Sequence, residues 1–165
     1  LLWAAMCATA VKGIARLSKQ PPSPQLYEPS TWALFEMGEK YSASDYLMAQ
    51  QFMHQTTLQM HAFLNRYDLW LTPVVAEPPP TLGTFDEQPD NPLYPIERAT
   101  AYVPFTPIAN ATGLPAMSVP LHWTESGLPV GAHFVGRFGD EATLFALAAQ
   151  LERAQPWATK YQTIP

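Results

Sequence analysis

The sequence predicts an α/β chain that packs against more protein. Three observations predict this. Stretches with apolar residues at three- and four-residue steps alternate with short apolar runs of strand length. The 18 prolines among 165 residues fall between these stretches, where they delimit elements instead of breaking them. Hydrophobic residues make up 47% of the chain and charged ones only 14%, against roughly 25% charged in ordinary soluble domains. A chain of this length can build one core, and so few charges suit a piece that buries a broad face against more protein.

Residues 1–17 read as an apolar helix, with Trp3, Met6, Ala10, Ile14 and Leu17 on one stripe. Gln20-Pro21-Pro22-Ser23-Pro24 is a stiff loop, and Thr31 to Tyr41 a second helix carrying Trp32, Phe35 and Met37. The clearest helix opens at Ser42, where Asp45 three residues on gives the form of a capping box. It runs to about Asn65, with Tyr46, Ala49, Met53, Met60, Phe63, Leu64 and Tyr67 marking one face. Asp68 to Val75 is a nearly unbroken apolar run, the pattern of a buried strand of parallel type. Residues 76–95 read as loop; that length is often functional, and either a lid over a cleft or a surface wrap fits it.

Residues 104–112 form a short helix that Gly113 stops by taking positive φ. Pro115 restarts the chain in an extended form. Ala116 to Leu121 is the next strand, with Pro120 as its stop signal, and Val130 to Arg137 the one after. The connection between them has hairpin length, so they are antiparallel neighbours. Asp140 and Glu141 open a last helix with Leu144, Leu147, Ala148 and Leu151 on its stripe, ended by Pro156.

The net charge of −5, from 9 basic and 14 acidic residues, is no nucleic-acid footprint. The apolar run at the start ends at Lys12, short of the ~20 residues that span a bilayer. Neither a nucleic acid nor a membrane is therefore an expected partner. The single cysteine, Cys7, excludes an internal disulfide and reads as a small buried hydrophobe. With no visible signal segment, the cytoplasm is the expected compartment. The chain begins at Leu1, not Met, so a fragment or an upstream processing event is expected.

Self-contained chemistry is not visible. His54 and His61 lie seven apart on one helix, whereas helical metal ligands sit three or four apart, so no metal is expected. Gly136-Arg137-Phe138-Gly139 lacks the spacing and lysine of a phosphate loop, and no cofactor is expected. Ser118 sits in no nucleophile elbow and reads as a pocket-lining or backbone-satisfying serine. His133, alternating with Phe134, reads as a core or rim histidine, and Asp140 with Glu141 as helix-capping acids.

The ordered segments are more specific than any of these residues alone. Ser42-Ala43-Ser44-Asp45-Tyr46, Asp68-Leu69-Trp70-Leu71-Thr72-Pro73, Phe105 through Ala116, Gly127-Leu128-Pro129-Val130-Gly131 and Phe138-Gly139-Asp140-Glu141 together resemble the C-terminal portion of the amidase signature family. Residues 42–157 carry the resemblance and residues 1–41 follow it loosely. The resemblance implies a serine amide hydrolase. Its nucleophile, bridging cis-serine and lysine base would lie upstream, so no catalytic residue is assigned to this chain. Residues 1–165 would be the C-terminal part of a single amidase domain, an α/β fold with a large mixed β-sheet flanked by helices. They would complete its sheet and one wall of its substrate pocket, with Thr72, Pro73, Phe105, Asn110, Met117 and Ser118 facing the cleft. Each of these has turn-making or packing as its competing role.

The implied partners are a small-molecule amide and the N-terminal part of the same protein; a homodimer is compatible with both. Relatives of this type carry Gln where His133 stands. Val103 replaces the acidic residue by which the tRNA-linked amidotransferase branch holds its substrate amine, which favours an aryl, acyl or oligoamide substrate. The Phe138–Leu144 segment resembles a branch that includes hydrolases of 6-aminohexanoate-type cyclic amides and aryl or acyl amidases. The rival reading is a non-catalytic structural or interaction module built on the same half-fold.

Overall fold

The computed structural model describes residues 1–158 and Lys160. They form a mixed α/β arrangement that divides into two compact units, residues 1–53 with 81–100, and residues 54–80 with 101 onward.

The first unit is helical. It contains α1 (Leu2–Ser18), a 3-10 turn (Pro24–Leu26), α2 (Pro29–Gly38) and the opening turns of α3 (Ala43–Leu64). Helix α1 buries Ala4, Ala8 and Val11, not the expected stripe of Trp3, Met6, Ile14 and Leu17, which stays exposed. The cause is a close helix crossing. A Cβ added to Gly38 of α2 would stand 2.2 Å from the Ala4 carbonyl oxygen and 2.7 Å from the Ala8 Cβ. Only small side chains fit there, so the alanine side of α1 takes the contact and the bulky side is turned away. Lys12 pairs with Glu39, and the half-buried Cys7 thiol lies 3.5 Å from the Thr31 carbonyl. Burial raises that thiol's pKa, which disfavours the reactive thiolate.

The capping box at Ser42 forms as expected. The Ser42 backbone N–H donates to Asp45 Oδ2 at 2.8 Å, and the Asp45 N–H donates back to Ser42 Oγ at 3.1 Å. The hydrogen bonds from the Ser42 side chain and backbone hold the Asp45 carboxyl below its ordinary pKa. The expected 76–95 loop ends earlier than its composition suggests. A helix α4 (Tyr94–Tyr102) begins there, opened by Asn91, which accepts from the Leu93 N–H at 3.0 Å and donates to Glu97 at 2.9 Å. Leu93 and Ile96 line a groove with Leu34 and Met37 of α2.

The second unit is organised by a three-stranded sheet: β1 (Trp70–Pro73), β2 (Ala116–Trp123) and β3 (Pro129–Val135), in the order β1-β3-β2. Both pairings are antiparallel. The β2–β3 hairpin is as expected. The parallel, fully buried strand expected over 68–75 is instead a four-residue edge strand, alternately half-buried and exposed. Sequence alone offers no signal for a partner some sixty residues away, and an apolar run reads the same on an edge as in a parallel interior. β2 also continues past Pro120. Its register moves from Pro120 opposite Gly131 to His122 opposite Val130, so a bulge at Leu121 accommodates the proline, as bulges and edges do.

Each face of the sheet meets a helix. On one side Val119 and Phe134 pack with Leu144 of α6 (Glu141–Ala154), flanked by Leu147 and Leu151. On the other, Val135 packs with Leu64 at the end of α3 and with Ala109 and Leu114 around α5 (Thr106–Thr112). Gly113 closes α5 at φ 70°, the left-handed region that favours glycine. Asp140 precedes α6, but its carboxylate accepts from Thr143 Oγ1 at 2.8 Å instead of capping a backbone N–H. Among the described residues no helix is long and apolar enough to cross a membrane.

Candidate functional site

Strand register places three polar side chains in one row. Thr72 of β1 lies opposite His133 of β3, and His133 lies opposite Ser118 of β2. Directly paired residues project to the same face of a sheet. The row is therefore a polar strip across all three strands, on the face that also carries Trp70 and Val135.

His133 is its centre. Only 4% of its surface is exposed, and Nδ1 lies 3.0 Å from Thr72 Oγ1. The hydroxyl can donate to or accept from that nitrogen, so the pair is satisfied with either tautomer of the neutral ring. Burial pushes the His133 pKa below its ordinary value, because a buried imidazolium loses its hydration. The row therefore holds a neutral imidazole at pH 7, fixed at one nitrogen by Thr72. Ser118, at the other end, is solvent-exposed. Its Oγ leans over Gly131, where an added Cβ would stand 2.8 Å from it and 2.5 Å from Val74 Cγ2. A bare backbone at residue 131 is what lets Ser118 and Val74 approach each other.

The six expected pocket residues divide by this geometry. Thr72 and Ser118 share the row. Pro73 and Met117 sit one residue away on their strands and so project to the opposite face, where Met117 packs beside Val119 and Phe134 under α6. Phe105 is the half-buried residue that precedes α5, and Asn110 is an exposed residue within that helix, next to buried Ala109. The sequence reading took His133 as a core or rim histidine, and its burial bears that out, but it counted neither His133 nor Gly131 among the pocket residues. Both lie in the Gly127–Gly136 segment; their relevance appears only once cross-strand register is known.

What the row can do chemically is limited. A neutral imidazole with two hydroxyls can orient, donate and accept hydrogen bonds. Among the described residues, no three His, Cys, Asp or Glu side chains gather as a cation site. His54 is exposed, and His61 lies against Phe138 with ring centroids 6.3 Å apart. Arg137 serves structure: Nε donates to the Leu64 carbonyl at the end of α3 at 2.9 Å, and one terminal nitrogen donates to Asp68 Oδ1 at 3.0 Å.

Comparison with known proteins adds what the geometry lacks. The family model described as Amidase matches residues 3–145. AmiB2 of Mycobacterium tuberculosis, an amidase by name only, is 32% identical over 155 residues, covering 93% of this chain and 33% of its own. AmiC of Mycobacterium leprae, also an amidase by name only, is 44% identical over 96 residues, 58% of this chain and 20% of its own. In structure, the chain is similar to a 6-aminohexanoate cyclic dimer hydrolase complexed with substrate (TM-score 0.86, 22% identity, 93% of this chain and 33% of that one). It is also similar to a bacterial aryl acylamidase of the amidase signature family (TM-score 0.72, 19% identity, 98% and 34%). The chain thus spans between a fifth and a third of the length of these relatives. With the family model matched over most of its residues and a similar fold in two amidase structures, the chain belongs to the amidase family.

Proposed function

We propose that the chain is the C-terminal portion of an amidase that hydrolyses a linear or cyclic carboxamide to acid and amine, and that it supplies sheet and pocket wall to a reaction whose nucleophile lies upstream. The observation that carries this reading is the alignment of 93% of the chain with one third of an amidase-named relative. In the proposed reaction an upstream serine oxygen, deprotonated through a cis-serine and lysine relay, attacks the amide carbonyl. Backbone N–H groups hold the oxyanion. The C–N bond breaks, the amine leaves with the proton the relay returns, and water releases the acid from the acyl-serine.

This chain's part is to shape the cleft. Thr72, bonded to His133, and Ser118, opposite His133 in register, offer hydrogen bonds on one face of the sheet. Phe105 and Asn110 stand at and within α5, while Pro73 and Met117 support the strands from the other face. Val103 favours an aryl, acyl or oligoamide substrate over an amino-acid amide. A cytoplasmic location belongs to the same reading.

Purified alone, the chain should neither react with a fluorophosphonate serine probe nor hydrolyse an acylanilide or the 6-aminohexanoate cyclic dimer. Joined behind the N-terminal two-thirds of AmiB2, in place of that protein's matching third, it should hydrolyse at least one of them. Labelling of the isolated chain would put the nucleophile here and overturn the assignment. A folded chimera with no amide hydrolysis would favour a non-catalytic module.

A further inference from the structure

Helix α1 has apolar residues on two sides. Ala4, Ala8 and Val11 are buried within the first unit. Trp3, Met6, Ile14 and Leu17 recur on another face at three- and four-residue steps, counted through Ala10, and are 62%, 68%, 53% and 88% exposed. The opening turns of α3 add Leu47 and Met48, 63% and 67% exposed. Met6 and Tyr46 also line one open groove of about 680 Å³ between these helices. A helix apolar on both sides is one that its native setting buries on both sides, and a broad exposed apolar face marks an interaction surface.

The length of the relatives supplies an occupant for it. The chain reproduces about one third of AmiB2 and of the cyclic dimer hydrolase, so two-thirds of such a chain is available to pack on it. We propose that the outer face of α1, continued by Leu47 and Met48, is the docking surface for the N-terminal two-thirds of the amidase chain. The proposal rests on the amidase-portion reading above. It differs in committing to a place: the contact is made by α1 and the start of α3.

Hydroxyl-radical footprinting tests it on two samples, the chain alone and the AmiB2 chimera described above. In the chimera Trp3, Met6 and Met48 should oxidise at least tenfold more slowly than in the chain alone. The pair Leu17→Glu and Leu47→Glu should leave the circular dichroism of the chain alone unchanged, since both side chains are exposed, and should abolish the protection of Met6 in the chimera. A soluble, monomeric chimera whose Trp3, Met6 and Met48 oxidise as fast as in the chain alone overturns the proposal. So does protection in the chain alone that grows with its concentration, which would make a second copy the occupant. If the chimera is insoluble, the chain is refolded together with the separate N-terminal part of AmiB2, and equal oxidation with and without that part overturns the proposal as well. Hydrolysis by a chimera with this face still oxidised would remove the docking surface and keep the amidase reading; protection without hydrolysis would do the reverse.

Discussion

His133 is held neutral by burial and tied to Thr72, so it couples stability to pH with a defined sign. Its pKa is 6.5 in an unfolded chain and lower when folded. Between those values the unfolded chain binds more protons, so stability rises with pH through the window. The contribution is fully present above about 6.5 and is lost as pH falls through the folded pKa. His133→Gln, which keeps a hydrogen-bonding partner for Thr72, should flatten this slope in urea midpoints measured between about pH 5 and 8. A slope unchanged in that variant would assign the dependence to another group. The row itself was not readable from sequence. Thr72 and Ser118 were legible as polar residues within apolar strand runs, but their alignment with His133 depends on strand register. The first of those pairings spans 61 residues, beyond the reach of any local pattern.

Elements whose cause is local were legible; those caused by distant packing were not. The α3 start is set by four consecutive residues, and Ser42→Ala should cost about 1 kcal/mol, read as a lower urea midpoint with the rest of the chain intact. The Gly113 stop and the β2–β3 hairpin are local in the same sense. Helix α1 shows the opposite case. Its length was legible, but its buried side is decided by Gly38 of another helix. Gly38→Ala tests that contact directly. Alanine is the better helix former, so an isolated α2 would gain stability. Here the new methyl meets a backbone oxygen at 2.2 Å, which cannot yield as a side-chain tip can. A net loss of roughly 1–3 kcal/mol is expected, measured by urea unfolding, and a gain would refute the close crossing. Helix α4 was missed because prolines crowd the segment before it; Pro95 is tolerated in a first turn, and the bonds of Asn91 to Leu93 and Glu97 at its start are side-chain contacts.

At the scale of the molecule, family and fold class were legible because the order of short segments is preserved through a chain of this length. Substrate was not, since the chain spans only about a third of the length of relatives it matches and specificity belongs to the whole protein. The low charge fraction anticipated exposed apolar surface, and the structure locates it on α1 and α3. The chain alone should therefore bind the dye ANS in its native state. Leu17→Glu with Leu47→Glu should reduce that binding. Unaltered dye binding would place the sticky surface elsewhere. The two edges of the small sheet have a further consequence. β2 carries a proline and a bulge, which remove a donor and disturb the spacing that a neighbouring strand would need. β1 is only four residues long and ends in Pro73, which likewise lacks a donor. Each edge therefore offers few regular donors, and pairing with a stray strand is held down on both sides of the sheet, by shortness at β1 and by the bulge at β2.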